Sequence, residues 1–391
     1  MAALANEVAR LVSALHGTDS KLKTSLSSGG GYIEEPLWQV NDASEACCGR
    51  QRCRQVGPET MVRGAQWRWQ LARGEDRFVP DDSMVAAADR AARVWAADVA
   101  GPIAPGSEAH KAAFCYMLLD THNPYRPSII DWPELDLEAR GRLVGLPIWD
   151  IAVRTEGKAR LRVLSYGEAI TDPLLRQAIE LDGFEEGRHK EVLSNLVQAY
   201  GIRLAPEPEY HRPRDPEWAF MVTGFSECID SVFAFGLFAL AKRSGFFPPA
   251  LVDTFEPVMQ EEGRHILFFV NWVAWHRRNL PLWRRPIFWA KIFGVWAFLI
   301  WERIGLARGF GGAGDGEGGM ASQDNNFTLT GSKSVSAADL SVKALIDVCL
   351  AENDRRLSGY DRRLLRPTVM PCLLRFVRRF LPRSDSRAAV S

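Results

Sequence analysis

The five letters E-E-G-R-H occur twice in this chain, at 185–189 and at 261–265, 76 residues apart. Each copy sets a glutamate three residues before a histidine: Glu186 before His189, and Glu262 before His265. On a helix, residues three apart share a face about one turn apart, so each pair can address a single point. Both copies carry a glycine, which costs a helix interior roughly 1 kcal/mol relative to alanine, so helix stability does not explain the repeat. Val258, Met259, Leu267, Phe268 and Phe269 flank the second copy, and Phe225, Val232, Phe233 and Phe235 surround Glu227. Carboxylates buried in such company without a cation are costly. The chain must therefore bring two carboxylate–imidazole helix faces together around something positive.

The rest of the pattern is also helical; strand signals are scarce. Asp81 and Asp82 follow Pro80 and open a helix reaching about Val99, and Ser107 caps another to about Thr121. The proline-rich segment 123–135 reads as extended. Four long helices follow, over 147–171, 173–200, 216–243 and 249–278. Asp172-Pro173 separates the first two, Gly245 and Pro248-Pro249 the last two, and a proline-rich crossover over 205–216 joins the two hairpins.

Counting from the turns finds partners for the repeated pairs. Glu156 lies 16 residues before Asp172 and Glu186 lies 14 after it. At a rise of about 1.5 Å per residue their levels differ by about 3 Å. Glu168, four residues before the same turn, is off level by about 15 Å. In the second hairpin Glu227 lies 18 residues before Gly245 and Glu262 lies 17 after it. The candidate metal ligands are therefore Glu156, Glu186, His189, Glu227, Glu262 and His265. Carboxylate and imidazole donors without thiolates suit iron or manganese.

Glu-x-x-His on two helices with one glutamate from each of two others is the six-ligand pattern of di-iron carboxylate bundles. On these residues the chain resembles the ferritin-like di-iron family, over about residues 150–278, and is most similar to the soluble acyl-carrier-protein desaturases and related oxygenases. The resemblance implies an all-α fold: a ferritin-like four-helix bundle with N-terminal helices and a C-terminal helical extension. It implies two iron ions, with manganese as the alternative. Glu186 and Glu262 would bridge or flank the metals, Glu156 and Glu227 would be outer carboxylates, and His189 and His265 terminal nitrogen ligands. Arg188 and Arg264 would stand behind the ligands. Asp230, one turn from Glu227, would orient a ligand histidine or else serve as a capping or surface residue. The implied activity is O2-dependent hydroxylation, desaturation or N-oxygenation of an apolar or aromatic small molecule. No flavin or iron–sulfur motif is present, so a separate reductase would be the external electron donor. Two other readings stay open: metal or peroxide handling without an organic substrate, and a non-enzymatic, metal-stabilised scaffold. The proline-rich prelude and the 286–383 extension have no counterpart in the desaturases.

Lys+Arg and Asp+Glu both number 48, so the basic excess of a general nucleic-acid binder is missing. The seven cysteines form no C-x-x-C pair, which reads as idle thiols in a reducing cytoplasm. The cluster Cys47, Cys48 and Cys53 lacks zinc-type spacing. No basic segment followed by a long apolar run opens the chain, as a signal peptide would. Residues 1–60 read as a disordered tail, 61–280 as the metal-binding unit with its preceding helices, and 281–391 as an extension. Within the extension, 286–306 is very apolar, but its uninterrupted run over 292–301 is only ten residues, against about 20 for a membrane span. It reads as a core-covering or homodimer-interface helix, or as an interfacial helix. In the second case it would hold the protein at the inner face of a membrane, helped by the basic tail around Arg375, Arg378 and Arg379. Gly309, Gly311 and Gly314 fit a dinucleotide pattern, but no strand precedes them, so a linker is expected. His110, His122, His211 and His276 are expected in structural or surface roles.

Overall fold

The computed structural model describes residues 82–146, 148–311 and 341–381. The tail over 1–60, the three clustered cysteines and Gly314 lie outside those residues. Among the described residues the fold is all-α.

The chain enters through α1 (Asp82–Ala91), which is shorter than the expected reach to Val99. The helix stops because the chain turns away to pair with a distant segment: Trp95 N donates to Gly359 O at 3.1 Å, in an isolated parallel bridge to Tyr360. Next comes α2 (Glu108–Asp120), capped by the Ser107 side chain, which accepts from His110 N. The 123–135 segment contains one 3-10 turn (Pro127–Ile129). A short helix that the sequence reading did not anticipate, α3 (Leu137–Val144), starts where Asp136 accepts from Ala139 N at 2.7 Å.

The four long helices then follow. They are α4 (Trp149–Ala169), α5 (Pro173–Ala199), α6 (Pro216–Ser244) and α8 (Glu256–Asn279). Asp172 and Asp215 cap α5 and α6 with their carboxylates, and a proline sits in the first turn of each, where no amide hydrogen is needed. Gly245 ends α6 in the left-handed region, at φ 63°. The expected single helix over 249–278 is broken: α7 (Pro249–Asp253) ends, and α8 begins afresh with Pro257 in its first turn. Pro257 lacks an amide hydrogen and disfavours helical backbone at the residue before it, so it begins a helix better than it continues one.

α4 packs along α5 and against α6, and α8 packs against α6 and, more lightly, α5. α2 lies across α5 and α8 and closes that side. The extension is built onto this core. α9 (Arg285–Gly311) and α10 (Val342–Leu357) pack on α6, and α11 (Val369–Phe380) on α10 and α6. Phe288, Ile292, Val295 and Leu299 of α9 join the same buried apolar cluster as α2, α5, α6 and α8, so no core boundary falls at residue 280. Among the described residues, α6 alone is long and apolar enough to cross a membrane, and 61% of its most apolar stretch is buried inside the protein. That is how a core helix behaves.

Candidate metal centre

α5 and α8 present the two E-E-G-R-H segments to each other, and the contacts cross between them. His189 Nδ1 on α5 lies 3.3 Å from Glu262 Oε1 on α8 and 3.8 Å from Glu156 Oε2 on α4. His265 Nδ1 on α8 lies 2.9 Å from Glu186 Oε1 on α5. Glu227, from α6, joins Glu262 and His265. All six residues picked out by the repeat and by counting thus fall into overlapping groups, within each of which the donor atoms lie within 4.8 Å of one another. The two imidazole rings stand 5.6 Å apart between centroids.

These close approaches are not hydrogen bonds. His265 Nδ1, Glu186 Oε1 and His189 Nδ1 are all buried, and none has a hydrogen-bonding partner. Donor atoms that are near each other yet aimed past each other converge on a common point, as ligands of one ion do. Leaving them buried and unpaired costs free energy that a cation would offset.

The far nitrogen of each ring is satisfied, and here the first glutamate of each pair finds its purpose. His189 Nε2 lies 2.9 Å from Glu261 Oε2, and His265 Nε2 lies 2.8 Å from Glu185 Oε2. A carboxylate at Nε2 holds the proton there and leaves the Nδ1 lone pair facing the centre. Each motif therefore orients the histidine of the other. Arg264 Nη1 donates to both oxygens of Glu185 at 3.0 Å, while Nε reaches Thr121 and Nη2 the carbonyl of Leu118. Arg188 donates to Glu261 and to the carbonyls of Asn123 and Tyr125, and stacks 4.0 Å above the Tyr125 ring. Two further groups complete this layer. His122 Nδ1 lies 2.6 Å from Glu185 Oε1, and Tyr125 Oη donates to Glu261 Oε2 at 3.2 Å. The end of α2 and the loop after it thus lock both arginines in place.

Sequence reasoning missed four members of this arrangement. Glu185 and Glu261 were in plain view inside the repeat, and the identical E-E pair was their signal. His122 and Tyr125 lie in a proline-rich loop and carried none. A fifth, Asp182, stands one turn before Glu186; its buried Oδ1 has no hydrogen-bonding partner and lies 3.6 Å from His265 Nδ1. Asp230 is placed away from both histidines: its carboxylate accepts from Ser226 and from Arg303 of α9. One turn from Glu227 it faces α9 rather than α8, and Glu185 and Glu261 take the orienting role expected of it. Gly187 permits a close approach, since a Cβ there would meet Arg160 Cδ at 3.0 Å. Nothing lies closer than 3.9 Å to a Cβ at Gly263, and the structure does not explain that glycine.

The electrostatics ask for positive charge. Burial, with Glu156 and Glu262 nearby, holds the Glu186 carboxyl well above its usual range. Burial, with Glu186 and Glu262, does the same to Glu227, and burial pushes Asp182 up to about 6. Against the burial penalty, the surrounding carboxylates raise both His189 and His265 well above the ordinary imidazole value. Glu185 is pulled the other way: despite complete burial, Arg264, His122 and His265 hold it well below the usual carboxylate range. So Glu185 is charged and paired, while the inner cluster repels itself unless protons or cations enter it. These carboxylate–histidine groups could hold a metal ion.

No protein-family model, curated protein or solved structure matches this chain.

Proposed function

We propose that α4, α5, α6 and α8 form a ferritin-like four-helix bundle that holds two metal ions, iron in the first place. We further propose that the protein is an O2-dependent oxidase or oxygenase of an apolar small molecule. The observation that carries this reading is the pair of unpartnered Nδ1 atoms of His189 and His265, converging with Glu156, Glu186, Glu227 and Glu262. Oxygen and nitrogen donors with no thiolate among them favour iron or manganese over softer metals. Two irons kept reduced by an external electron donor would supply O2 activation there.

The protein's own part is positioning and exclusion. Glu185 and Glu261 fix the two imidazoles, and Arg264 and Arg188 hold those carboxylates in place. Glu186 and Glu262 sit where both histidines reach them, which suits carboxylates shared by two ions, while Glu156 and Glu227 approach from the two outer helices. Buried Cys228 and Ile229 follow Glu227 on α6, and Ile266 follows His265 on α8. Glu186, His189 and His265 are themselves almost completely buried, which keeps bulk water from the donors.

Metal content of aerobically purified protein, measured by mass spectrometry beside Glu186→Ala/Glu262→Ala, tests the reading. About two irons per chain, as the six-ligand pattern requires, and their loss in the variant are the expected result. O2 uptake with an artificial reductant then separates an oxygenase from a scaffold that only stores metal. No transition metal bound after anaerobic Fe(II) loading would overturn the proposal.

A further inference from the structure

α9 is apolar on two sides. Its inner side buries Phe288, Ile292, Val295 and Leu299 in the core. Its outer side leaves Ile287, Phe293, Ile300 and Trp301 half or more exposed, and Trp283 in the turn before it is 67% exposed. At helical spacing these residues form one stripe, with Ala290 and Ala297 between them. The only charged residue between Arg285 and Glu302 is Lys291, and its ammonium is held by Asp215 and Glu217 at 2.7 and 2.8 Å. The uncharged face from 286 to 301 is about 24 Å long. Soluble monomers rarely expose a continuous apolar patch of that reach.

A second stripe lies on α11: Val369, Leu373, Phe376 and Phe380 are all exposed, and the two phenylalanine rings touch, with centroids 4.9 Å apart. α9 and α11 follow one another along α6. Trp296 of α9 rests on Phe225, and Leu374 of α11 belongs to the cluster of Phe233, Leu237 and Leu240.

Charge identifies the occupant. The chain as a whole is neutral, yet 263–301 contains no Asp or Glu and carries Arg277, Arg278, Arg284 and Arg285 around the first stripe. Likewise 362–381 has no acidic residue and carries Arg375, Arg378 and Arg379 beside the second. Of these, Arg375 and Arg378 pair with Asp354 and Asp347 of α10, and Arg379 makes no such pair among the described residues. Exposed Trp, Phe and Leu bordered by arginine are what an interfacial helix needs: rings and alkyl groups enter the acyl boundary while guanidinium groups meet anionic headgroups. We propose that the outer faces of α9 and α11 dock this protein on an anionic lipid bilayer, with both helices lying in the plane of the surface. One side of α9 is committed to the protein core, so the helix rests on a bilayer rather than crossing it. This surface and the metal centre are separate, so lipid binding and metal content are read independently.

The test is flotation of the full chain with vesicles of phosphatidylglycerol and phosphatidylcholine, against vesicles of phosphatidylcholine alone. The wild type is expected to float with the anionic vesicles only. Phe293→Ser/Trp301→Ser, at exposed positions that leave the core intact, should weaken binding by about tenfold or more. Arg284→Glu/Arg379→Glu should weaken it similarly and leave the remaining binding less sensitive to salt. Wild type that stays behind from anionic vesicles overturns the proposal, as does equal flotation with neutral ones. A dimer in light scattering that Phe293→Ser/Trp301→Ser converts to monomer, without flotation, assigns the surface to a second copy of the chain and also overturns it.

Discussion

The two E-E-G-R-H segments are identical letter for letter, but the structure does not treat them alike. On the α5 side, Glu185 is served by His122 and by both nitrogens of the Arg264–His265 pair. On the α8 side, Glu261 is served by Arg188, His189 and a neutral phenol, Tyr125. One turn before Glu186 stands Asp182; 76 residues on, the matching position is Val258. The His265 side therefore has one more carboxylate inside and one more basic group outside. A shared local motif makes a shared geometry, and the residues packed against it from outside the repeat make the two positions unequal.

The largest effect should come from removing an arginine. Arg264 is fully buried against a fully buried Glu185. Arg264→Leu leaves that carboxylate without its strongest partner, and a loss of about 3–5 kcal/mol in a denaturant melt is expected. Arg188→Leu should cost less, because Arg188 donates to one oxygen of Glu261 whereas Arg264 donates to both oxygens of Glu185. The double variant Arg264→Leu/Glu185→Leu should regain part of the loss, since no charge is then left unpaired. Equal losses for the two arginines would mean that the asymmetry is one of geometry and not of energy.

Metal binding sharpens the same contrast. Ferrous iron added under anaerobic conditions should stabilise the protein by about 4 kcal/mol at a thousandfold excess over its dissociation constant. Asp182→Asn removes a charge from the His265 side alone. It should weaken one of two metal equivalents by roughly ten- to a hundredfold and leave the other unchanged. Titration calorimetry with two resolved steps reads this; an equal change in both steps would show that Asp182 does not belong to one position.

How much of this was legible beforehand follows from where each residue sits. Glu156 and Glu227 could be found because helix rise is uniform, so distance from a turn converts into height. Proline and glycine at the turns made those counts possible. Of the two readings of Asp230, the orienting one fails because its height is right and its azimuth is not: a turn away from Glu227, it faces Arg303 of α9. His122 and Tyr125 were invisible because a loop has no periodicity from which to infer direction, and only the folded chain brings 121–125 against α5 and α8. The break before α8 was available in Pro257 but was outweighed by the apolar spacing on either side. The outer stripe of α9 was hidden for the opposite reason: a helix apolar all round gives no clue to which side stays uncovered.

The two outer donors themselves can be compared directly. His122→Phe and Tyr125→Phe each delete one hydrogen bond to a buried carboxylate with little change in packing. The carboxylate is buried in both cases, but the imidazole contact is shorter, 2.6 Å against 3.2 Å. His122→Phe should cost about 2 kcal/mol and Tyr125→Phe about 1 kcal/mol. A second readout, metal affinity, should fall for His122→Phe at the His265 position and for Tyr125→Phe at the His189 position. If both variants disturb the same metal step, the crossed pairing of Glu185 with His265 and Glu261 with His189 is wrong.

The smallest effect lies where the core meets the extension. Glu217, at the start of α6, lies 2.8 Å from His276 of α8 and 2.8 Å from Lys291 of α9. The bond from His276, helped by Lys291 against partial burial, lowers its carboxyl from 4.5 to about 2. A carboxyl whose pKa falls on folding stabilises the folded state above its unfolded value and loses that contribution as the pH drops. The window is thus from about pH 4.5 down to about 2. Because Glu217 is about a quarter exposed, solvent screening keeps the contribution near 1 kcal/mol. Glu217→Gln should flatten that part of the stability–pH curve and leave the curve above pH 5 lower by a constant amount of about the same size. Asp182 supplies the opposite slope in metal-free protein. Its pKa rises on folding from 3.8 to about 6, so it destabilises the folded state progressively between those values, and Asp182→Asn should remove that decline. Melts of the two variants across this range, with and without Fe(II), separate a pair that ties helices together from a carboxylate that waits for an ion. Metal should abolish the Asp182 slope and leave that of Glu217 untouched.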